Sequence, residues 1–292
     1  MSNILVTGSN GQLGSELRDL ETAYPIYNFY FTDVEELDIT DHVAVKEFIN
    51  TQNIQIIINC AAYTAVDKAE TEFEINDALN HLAVVNFAKI AKEKGIQLIQ
   101  LSTDYVFDGK QFKPYLEADQ TDPQSVYGRT KLAGEQAMVT INPINSIIIR
   151  TSWVYSSYGN NFVKTMLRLG KERNELGVIF DQVGTPTYAH DLAKAILAII
   201  PKIKNEEVEL FHYSNEGVCS WFDFANAIFE IRGINIKVTP IETSQYPTSA
   251  KRPFYSVLNK TKIRTAYQLE IPYWKTALNT FLFSNFCKIH YG

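Results

Sequence analysis

A glycine-rich turn near the N-terminus restricts the possible folds of this chain more than any other segment. Gly8, Gly11 and Gly14 follow an apolar run at residues 3–7 and open a helical pattern over residues 12–22. Between a strand and a helix, such glycines permit a tight turn and a close approach of the backbone to a pyrophosphate, and the helix N-terminus offers free N–H groups to phosphates. The spacing is GxxGxxG, one residue longer than the GxGxxG fingerprint. It predicts a dinucleotide-binding turn; a purely structural turn is the alternative.

Strands and helices alternate through the rest of the first half. We expect strands at residues 27–33, 54–59, 96–102 and 146–150, and helices at 41–52, at 69–94 and around Tyr127. Thr40 is the expected N-cap of the second helix, and Gly95 is expected to end the third. This alternation is typical of βαβ units, so we predict an α/β fold with a doubly wound parallel Rossmann sheet.

After about residue 151 the alternation of strands and helices becomes less regular, and prolines become frequent. Helices are predicted at residues 160–173, 188–200, 220–232 and 271–284, and extended segments at 208–213 and 237–241. We expect residues 1–151, with about 186–213 returning to them, to form the dinucleotide-binding domain. Residues 152–185 and 214–292 are expected to form a smaller substrate-binding lobe.

Composition excludes several classes of function. A net charge of −6 argues against a nucleic-acid partner, and no apolar run is long enough to span a bilayer. The chain enters its first strand without a signal-peptide pattern, so we expect a cytoplasmic protein without a membrane partner. Cys60, Cys219 and Cys287 lack the spacing of zinc ligands, and no structural metal is predicted.

A second motif pairs Tyr127 with Lys131, and we predict acid–base chemistry for it. At i and i+4 they lie on one face of a helix, where the ammonium would lower the pKa of the phenol and make it a usable general acid. Ser102 and Thr103 lie where the fourth strand runs out into its loop, at the sheet edge where ligands bind in such folds. A hydroxyl there can face a substrate carbonyl. If these residues are not catalytic, the Tyr–Lys pair would lie on a solvated helix face and Thr103 would cap the end of the strand.

Asp33 is the expected contact for the adenosine ribose. It closes the second strand, nineteen residues after Gly14, where a carboxylate accepts hydrogen bonds from ribose hydroxyls. A capping or solvated carboxylate is the alternative. No Arg stands beside Asp33 or in the glycine turn, which favours NADH over NADPH.

Six segments resemble the extended short-chain dehydrogenase/reductases and, within them, the dTDP-4-dehydrorhamnose reductase family. They are TGSNGQLG, NCAAYTAVDKAE, LSTDYVFDG, YGRTKLAGE, RTSWVYSSYGNNFVKTML and DQVGTPT. The resemblance covers residues 4–187 and, more weakly, the tail through residues 251–253. It implies hydride transfer from NADPH or NADH to the C4 ketone of a dTDP-4-keto-6-deoxy sugar, giving dTDP-L-rhamnose, in a monomer or homodimer.

The resemblance also implies roles for individual residues. The catalytic positions are Thr103, Tyr127 and Lys131. The cofactor positions are Gly8, Gly11, Gln12, Leu13, Asp38, Ile39, Ala61, Ala62 and Tyr63, beside Tyr127, Lys131 and the Asp33 argued above. The substrate positions are Tyr105, Trp153, Asn161 and Arg252, together with Thr103 and Tyr127.

Two departures from the family pattern affect what is carried over. RPFYSVLN stands where relatives usually read RPxxSxLD, which leaves the role of the end of that segment open. Some relatives dimerise through carboxylates that hold a metal ion such as Mg²⁺. Glu16 is a candidate match for one of these carboxylates, but no partner is identifiable in the sequence, so no metal site is predicted.

Two other functions remain open on sequence alone. A nucleotide-sugar epimerase or dehydratase of the same superfamily is one, although Asp104-Tyr105 stands where a dehydratase usually carries Asp-Glu. A non-catalytic NAD(P)-binding regulatory subunit is the other, although such proteins often lose the Tyr or the Lys. If they do not contact a substrate, Trp153 is expected to be a core residue and Arg252 a surface ion-pair partner.

Overall fold

Parallel strands joined by helices form the centre of the structure, a computed structural model that describes residues 1–283. The strands are β1 (Ser2–Thr7), β2 (Tyr27–Thr32), β3 (Ile56–Asn59), β4 (Gln97–Thr103), β5 (Ile147–Thr151), β6 (Val154–Tyr155), β7 (Glu175–Ile179), β8 (Val183–Gly184), β9 (Thr187–Tyr188), β10 (Glu209–His212), β11 (Cys219–Ser220) and β12 (Lys237–Ile241). The helices are α1 (Gln12–Asp19), α2 (His42–Thr51), α3 (Val66–Ala69), α4 (Phe73–Asp77), α5 (Ala83–Lys94), α6 (Val126–Ile141), α7 (Phe162–Glu172), α8 (Ala189–Ile199), α9 (Trp221–Arg232), α10 (Thr261–Tyr267) and α11 (Trp274–Leu282).

The main sheet has six parallel strands in the order β10-β5-β4-β3-β1-β2. Successive strand residues face opposite sides, so Ile4 and Val6 pack beneath α1 and α8, whereas Leu5 packs beneath α2 and α5. Both faces are therefore covered by helices, which explains why the strands read as continuous apolar runs. The predicted doubly wound parallel sheet is confirmed.

A separate hydrophobic cluster lies in the second half of the chain, among α7, α9 and α11. Phe224 and Phe281 are fully buried at its centre. The strand β10 and the helix α8 instead join the main sheet, and so do the buried Ile263 and Tyr267 of α10. The boundaries proposed for a dinucleotide-binding domain and a substrate-binding lobe remain a prediction.

Several helix ends differ from the predicted ones because side-chain capping decides them. Asp41, not Thr40, caps α2, since its carboxylate accepts hydrogen bonds from the backbone N–H groups of Val43 and Ala44. The predicted helix over residues 69–94 is interrupted after α3 and again by a π-helical turn at Ala78–Leu82. Gly95 ends α5 in the left-handed conformation (φ 65°), as predicted.

Some elements of the second half were not predicted. The strand β7, which pairs in parallel with β12, and the short helix α10 are both absent from the sequence-based prediction. The predicted last helix is observed as α11, while Ser284 and Cys287 lie outside the described residues.

A buried ion pair holds α6 against the sheet. The guanidinium of Arg150, on β5, donates to the Glu135 carboxylate of α6 at 2.6 Å and 2.9 Å, and both side chains are almost fully buried. His212 completes the cluster: its Nδ1–H donates to the Tyr115 carbonyl at 3.2 Å, so its Nε2 is free to accept from Arg150 at 3.5 Å. Burial and the Arg150 charge lower the pKa of His212 to about 3, which keeps the ring neutral.

Breaking this pair should destabilise the fold. We expect Arg150→Met to lower the free energy of unfolding by about 3–5 kcal/mol, because Glu135 would remain as a buried charge without a partner. Urea titration followed by circular dichroism measures the loss. Lys46→Met, which removes an exposed pair with Glu93, is the matched control and should cost less than about 1 kcal/mol. Equal effects of the two substitutions would contradict this account.

Candidate active site

A cavity of about 980 Å³ opens at the carboxyl edge of the sheet, where β1, β3 and β4 end. The glycine turn forms one end of this cavity, and Tyr127 and Lys131 of α6 line it as well. Most of the residues predicted for the cofactor line it: Gly8, Gly11, Gln12, Leu13, Asp33, Asp38, Ile39, Ala61 and Ala62. It is also lined by Asn10, Val34, Leu79, Thr151, Gly159 and Asn160, which were not among the predicted site residues.

Two glycines of the turn allow close backbone packing, and the third leaves open space. Gly8 adopts φ +61°, and a Cβ there would lie 2.6 Å from the Ala61 Cα; a Cβ on Gly14 would lie 2.5 Å from the Ser9 Cα. Gly11 differs, because the only atom near a Cβ at that position would be the Gly8 carbonyl oxygen, at 3.1 Å. Gly11 is also the N-cap of α1 and supplies no side-chain cap to the helix. The space above Gly11 and the uncapped helix end therefore fit a pyrophosphate.

Tyr127 and Lys131 are both buried, one turn apart on α6. The Ser125 hydroxyl caps this helix by accepting from the Gly128 N–H at 3.1 Å. The Lys131 ammonium donates to the Leu101 carbonyl at the end of β4, at 2.6 Å. Lys131 is thereby held at the cavity wall.

The electrostatics of the pair differ from the sequence-based expectation. Burial raises the pKa of Tyr127 to about 12, the Thr103 hydroxyl lowers it and the Asp104 charge raises it. Lys131 is not among the groups that shift this pKa. Burial likewise lowers the pKa of Lys131 to about 8, against the opposing effect of the Glu135 and Cys60 charges. In this structure desolvation of the phenol outweighs the effect expected of the ammonium.

Thr103 ends β4 beside Tyr127, as the sequence analysis expected. Its hydroxyl accepts from the Tyr105 N–H at 3.2 Å and donates to the Asp104 carboxylate at 3.1 Å. The ring of Tyr105 meets the ring of Tyr127 edge to face, with centroids 5.5 Å apart. Ser102, on the opposite face of the strand, lines the cavity, and its buried hydroxyl makes no hydrogen bond to another described residue.

Trp153 is held in an unusual conformation. Its φ is +49°, which is rare for a bulky residue, and its ring stacks on Trp221 at 3.5 Å between centroids. Gly184 permits this placement, because a Cβ there would lie 2.7 Å from the Trp153 ring. Trp153 packs against the hydrophobic cluster of the second half of the chain and does not line the large cavity, so its predicted contact with a substrate stays a prediction.

Arg252 and Asn161 make bonds that tie distant parts of the chain together. The Arg252 guanidinium forms a two-pronged ion pair with Asp67, at 2.7 Å and 3.2 Å. The Asn161 side chain caps α7 and donates to the Gln12 side chain at 3.0 Å. Neither residue lines the large cavity. Their predicted contacts with a substrate stay predictions.

Asp33 lies at the rim of the cavity, where its two carboxylate oxygens accept from the N–H groups of Asn10 at 3.0 Å and Val34 at 2.9 Å. Arg18, nine residues beyond Ser9, bonds to the glycine turn. Its guanidinium donates to the Ser9 hydroxyl at 2.8 Å and lies 5.0 Å from the centroid of the Phe31 ring. Arg18 is distant in sequence from Asp33, so the residues next to Asp33 give no sign of it.

Other candidate positions also lie off the cavity: Thr103, Tyr105, Trp153, Tyr63 and Glu16 are not among its lining residues. Tyr63 donates its N–H to Asn80 at 3.0 Å and its hydroxyl to Glu72, and it is not among the lining residues. Glu16 is buried and contacts the Ser156 hydroxyl at 2.5 Å and the His190 ring at 3.0 Å. Within residues 1–283 no three His, Cys, Asp or Glu side chains are arranged to hold a metal ion.

Comparison with known proteins agrees with this geometry. A family model described as the RmlD substrate binding domain matches residues 1–285. The dTDP-4-dehydrorhamnose reductase of Aggregatibacter actinomycetemcomitans is 41% identical over 288 residues, which cover 95% of this chain and 97% of the relative. The crystal structure of the Clostridium acetobutylicum dTDP-4-dehydrorhamnose reductase has a TM-score of 0.90 at 43% identity, covering 96% of this chain and 98% of the other.

A third relative was crystallised with a dinucleotide. The dTDP-4-dehydrorhamnose reductase of Bacillus anthracis, in complex with NADP, has a TM-score of 0.91 at 40% identity and covers 97% of this chain and 99% of its own. The parallel sheet, the glycine turn and the Tyr–Lys helix define an extended short-chain dehydrogenase/reductase that binds NAD(P). Within that class, the chain belongs to the dTDP-4-dehydrorhamnose reductase family.

The open space above Gly11 gives a test of the turn. We expect Gly11→Val to weaken the binding of NADPH at least about tenfold, because the new side chain would occupy the phosphate space, while the melting temperature changes little. Calorimetric titration of the purified protein measures the affinity. Gly95→Ala is the converse control: its φ of +65° makes the substitution strained, so stability should fall while affinity is kept. Unchanged affinity in the valine variant would exclude this position from the phosphate site.

Proposed function

We propose that this protein reduces the C4 ketone of a dTDP-4-keto-6-deoxy sugar with NADPH or NADH and so forms dTDP-L-rhamnose. The observation that carries the proposal is the placement of the Tyr127 phenol and the Lys131 ammonium in one cavity with the glycine turn. The family membership supports the nucleotide-sugar substrate. When bound, the dinucleotide would supply the hydride.

The residues of this chain would supply the proton and the orientation. Tyr127 would donate its proton to the carbonyl oxygen as that oxygen becomes an alkoxide. Thr103, next to it, would polarise the same carbonyl. Lys131, held on the Leu101 carbonyl at the cavity wall, would donate to a ribose hydroxyl of the dinucleotide and stabilise negative charge on the phenol oxygen.

The substrate would approach from the side of Trp153 and Arg252. The flat Trp153–Trp221 stack offers an apolar wall. Asp67 uses two N–H groups of the Arg252 guanidinium, which has five, and the rest can donate to a diphosphate. Among residues 1–283 no helix has the length and apolarity of a membrane span. Oligomeric state and cellular compartment stay predictions.

Removing the phenol hydroxyl tests the proposal most directly. We expect Tyr127→Phe to lower kcat for the dTDP-4-keto-6-deoxy sugar by at least about 10²-fold, the usual contribution of a positioned acid, with little change in NADPH affinity. The decrease in absorbance of the reduced nicotinamide measures turnover. Tyr30→Phe, on β2 outside the cavity, is the matched control and should keep full activity. Normal turnover of the Tyr127 variant would remove it from the mechanism.

Cofactor preference depends on two opposed charges at the adenosine end. A 2′-phosphate beside Asp33 costs on the order of 1–3 kcal/mol, about ten- to hundredfold, and Arg18 at the Ser9 hydroxyl offsets part of this cost. We therefore infer that the enzyme uses both NADPH and NADH. Asp33→Ala should shift the ratio of kcat/KM values toward NADPH, and Arg18→Ala should shift it toward NADH. A ratio that neither substitution moves would show that these side chains do not read the 2′ position.

A further inference from the structure

The short helix α3 contacts the start of the Tyr127 helix. Ala69, which is fully buried, packs in one hydrophobic cluster with Val126 and Tyr127. The next residue, Glu70, accepts a hydrogen bond from the Val126 N–H at 2.8 Å, in the first turn of α6. Residues of the loop before α3, among them Ala65, line the large cavity. The position of α3 is therefore tied both to the cavity and to Tyr127.

Asp67, on the same helix, binds Arg252 from the second half of the chain. Its Oδ2 accepts from the Arg252 Nη2 at 2.7 Å, and its Oδ1 accepts from Nη1 at 3.2 Å. Oδ1 also accepts from the Ala250 N–H at 3.1 Å. The hydrogen bonds from Arg252 lower the pKa of Asp67, so the carboxylate is ionised at neutral pH. One carboxylate thus binds the guanidinium and the backbone that leads to it.

The segment that carries this guanidinium, residues 250–256, is also bonded to the loop after β4 and to β8. The Tyr255 N–H donates to the Gly109 carbonyl at 3.1 Å. The Phe254 carbonyl accepts from the Val183 N–H at 2.7 Å. These bonds fix the backbone of the segment, and the orientation of the guanidinium then depends on what its own N–H groups contact.

The pairing with Asp67 determines which N–H groups of Arg252 are left. A guanidinium has five N–H groups in a planar fork. Asp67 takes one from each terminal nitrogen, and no other side chain or carbonyl within residues 1–283 accepts from this group. The Nε–H and the neighbouring terminal N–H lie parallel along one edge, an arrangement that can bind two oxygens of a phosphate. Arg252 can therefore bind Asp67 and a phosphate at the same time.

We propose that Asp67 is a positioning residue for the nucleotide sugar: it holds the end of the Arg252 guanidinium so that the side edge binds the diphosphate. The inference rests on the function proposed above. Because α3 carries Asp67 and also packs against Tyr127, the anchor for the diphosphate and the proton donor share one support. The separation between them then determines which carbon of the sugar lies at the phenol. Asp67 acts through Arg252 and needs no contact of its own with the substrate.

Asp67→Asn tests the role of the carboxylate, because asparagine keeps the shape but places an N–H group against an Arg252 nitrogen. We expect the affinity for dTDP to fall about tenfold or more, the usual contribution of a hydrogen bond to a charged group, with NADPH affinity unchanged. Calorimetric titration measures both affinities. For the dTDP-4-keto-6-deoxy sugar, KM should rise with a smaller change in kcat. Asp77→Asn, which removes the carboxylate paired with His81 outside the cavity, is the matched control and should bind dTDP as the wild type does.

Two further measurements separate positioning from a general loss of structure. Thymidine has the base and sugar of dTDP but no phosphate, so it should bind Asp67→Asn as it binds the wild type, whereas a disordered site would weaken both ligands equally. In an Arg252→Gln background, Asp67→Asn should have no additional effect on dTDP affinity, because the two residues act as one unit. Asp67→Glu, which keeps a carboxylate, should retain most of the dTDP affinity.

The outcomes distinguish this role from the proposed function itself. Additive losses in the double variant would overturn the role of Asp67. Tighter dTDP binding by Asp67→Asn would do the same, since the carboxylate would then act on the phosphates only by repulsion, as would dTDP affinity equal to that of the wild type. If the wild type neither binds dTDP nor reduces the dTDP-4-keto-6-deoxy sugar, the proposed function is wrong.

Discussion

The buried ion pair between Glu135 and Arg150 sets the geometry on which the active site depends. It joins α6 to β5, and the neutral ring of His212 accepts from the same guanidinium. A buried ion pair is stable in only a few geometries, because each lost hydrogen bond leaves a desolvated group without a partner. The helix is therefore held in one position relative to the sheet, and Tyr127 and Lys131, on the turns before Glu135, are held with it.

Several side-chain bonds join the two halves of the chain. Gln12, in the helix that follows the glycine turn, bonds to Asn161 and to the Val154 carbonyl, and Arg252 bonds to Asp67. These bonds join a dinucleotide-binding segment to residues expected to meet the sugar. Segments from both halves of the chain are thus joined by side-chain bonds at two separate places.

Burial also determines the acid–base chemistry of the site. Burial raises the pKa of the Tyr127 phenol to about 12, so this group keeps its proton at neutral pH; in the proposed reaction it would release the proton to the alkoxide that hydride addition forms. The same burial raises the pKa of Asp104 to about 6 and lowers that of Lys131 to about 8.

The amino-acid sequence by itself determined the parallel sheet, the glycine turn and the Tyr–Lys helix, because these depend on local periodicity, on backbone freedom at Gly8 and on i, i+4 spacing. Helix ends such as the Asp41 cap were one residue off, since neighbouring polar residues compete for the same N–H groups. Arg18 at Ser9, Asp67 at Arg252 and the burial of Asp104 were decided only by the tertiary structure. Each depends on which side chains, distant in sequence, come into contact and on how far they are buried from water. Local sequence patterns predict neither of these.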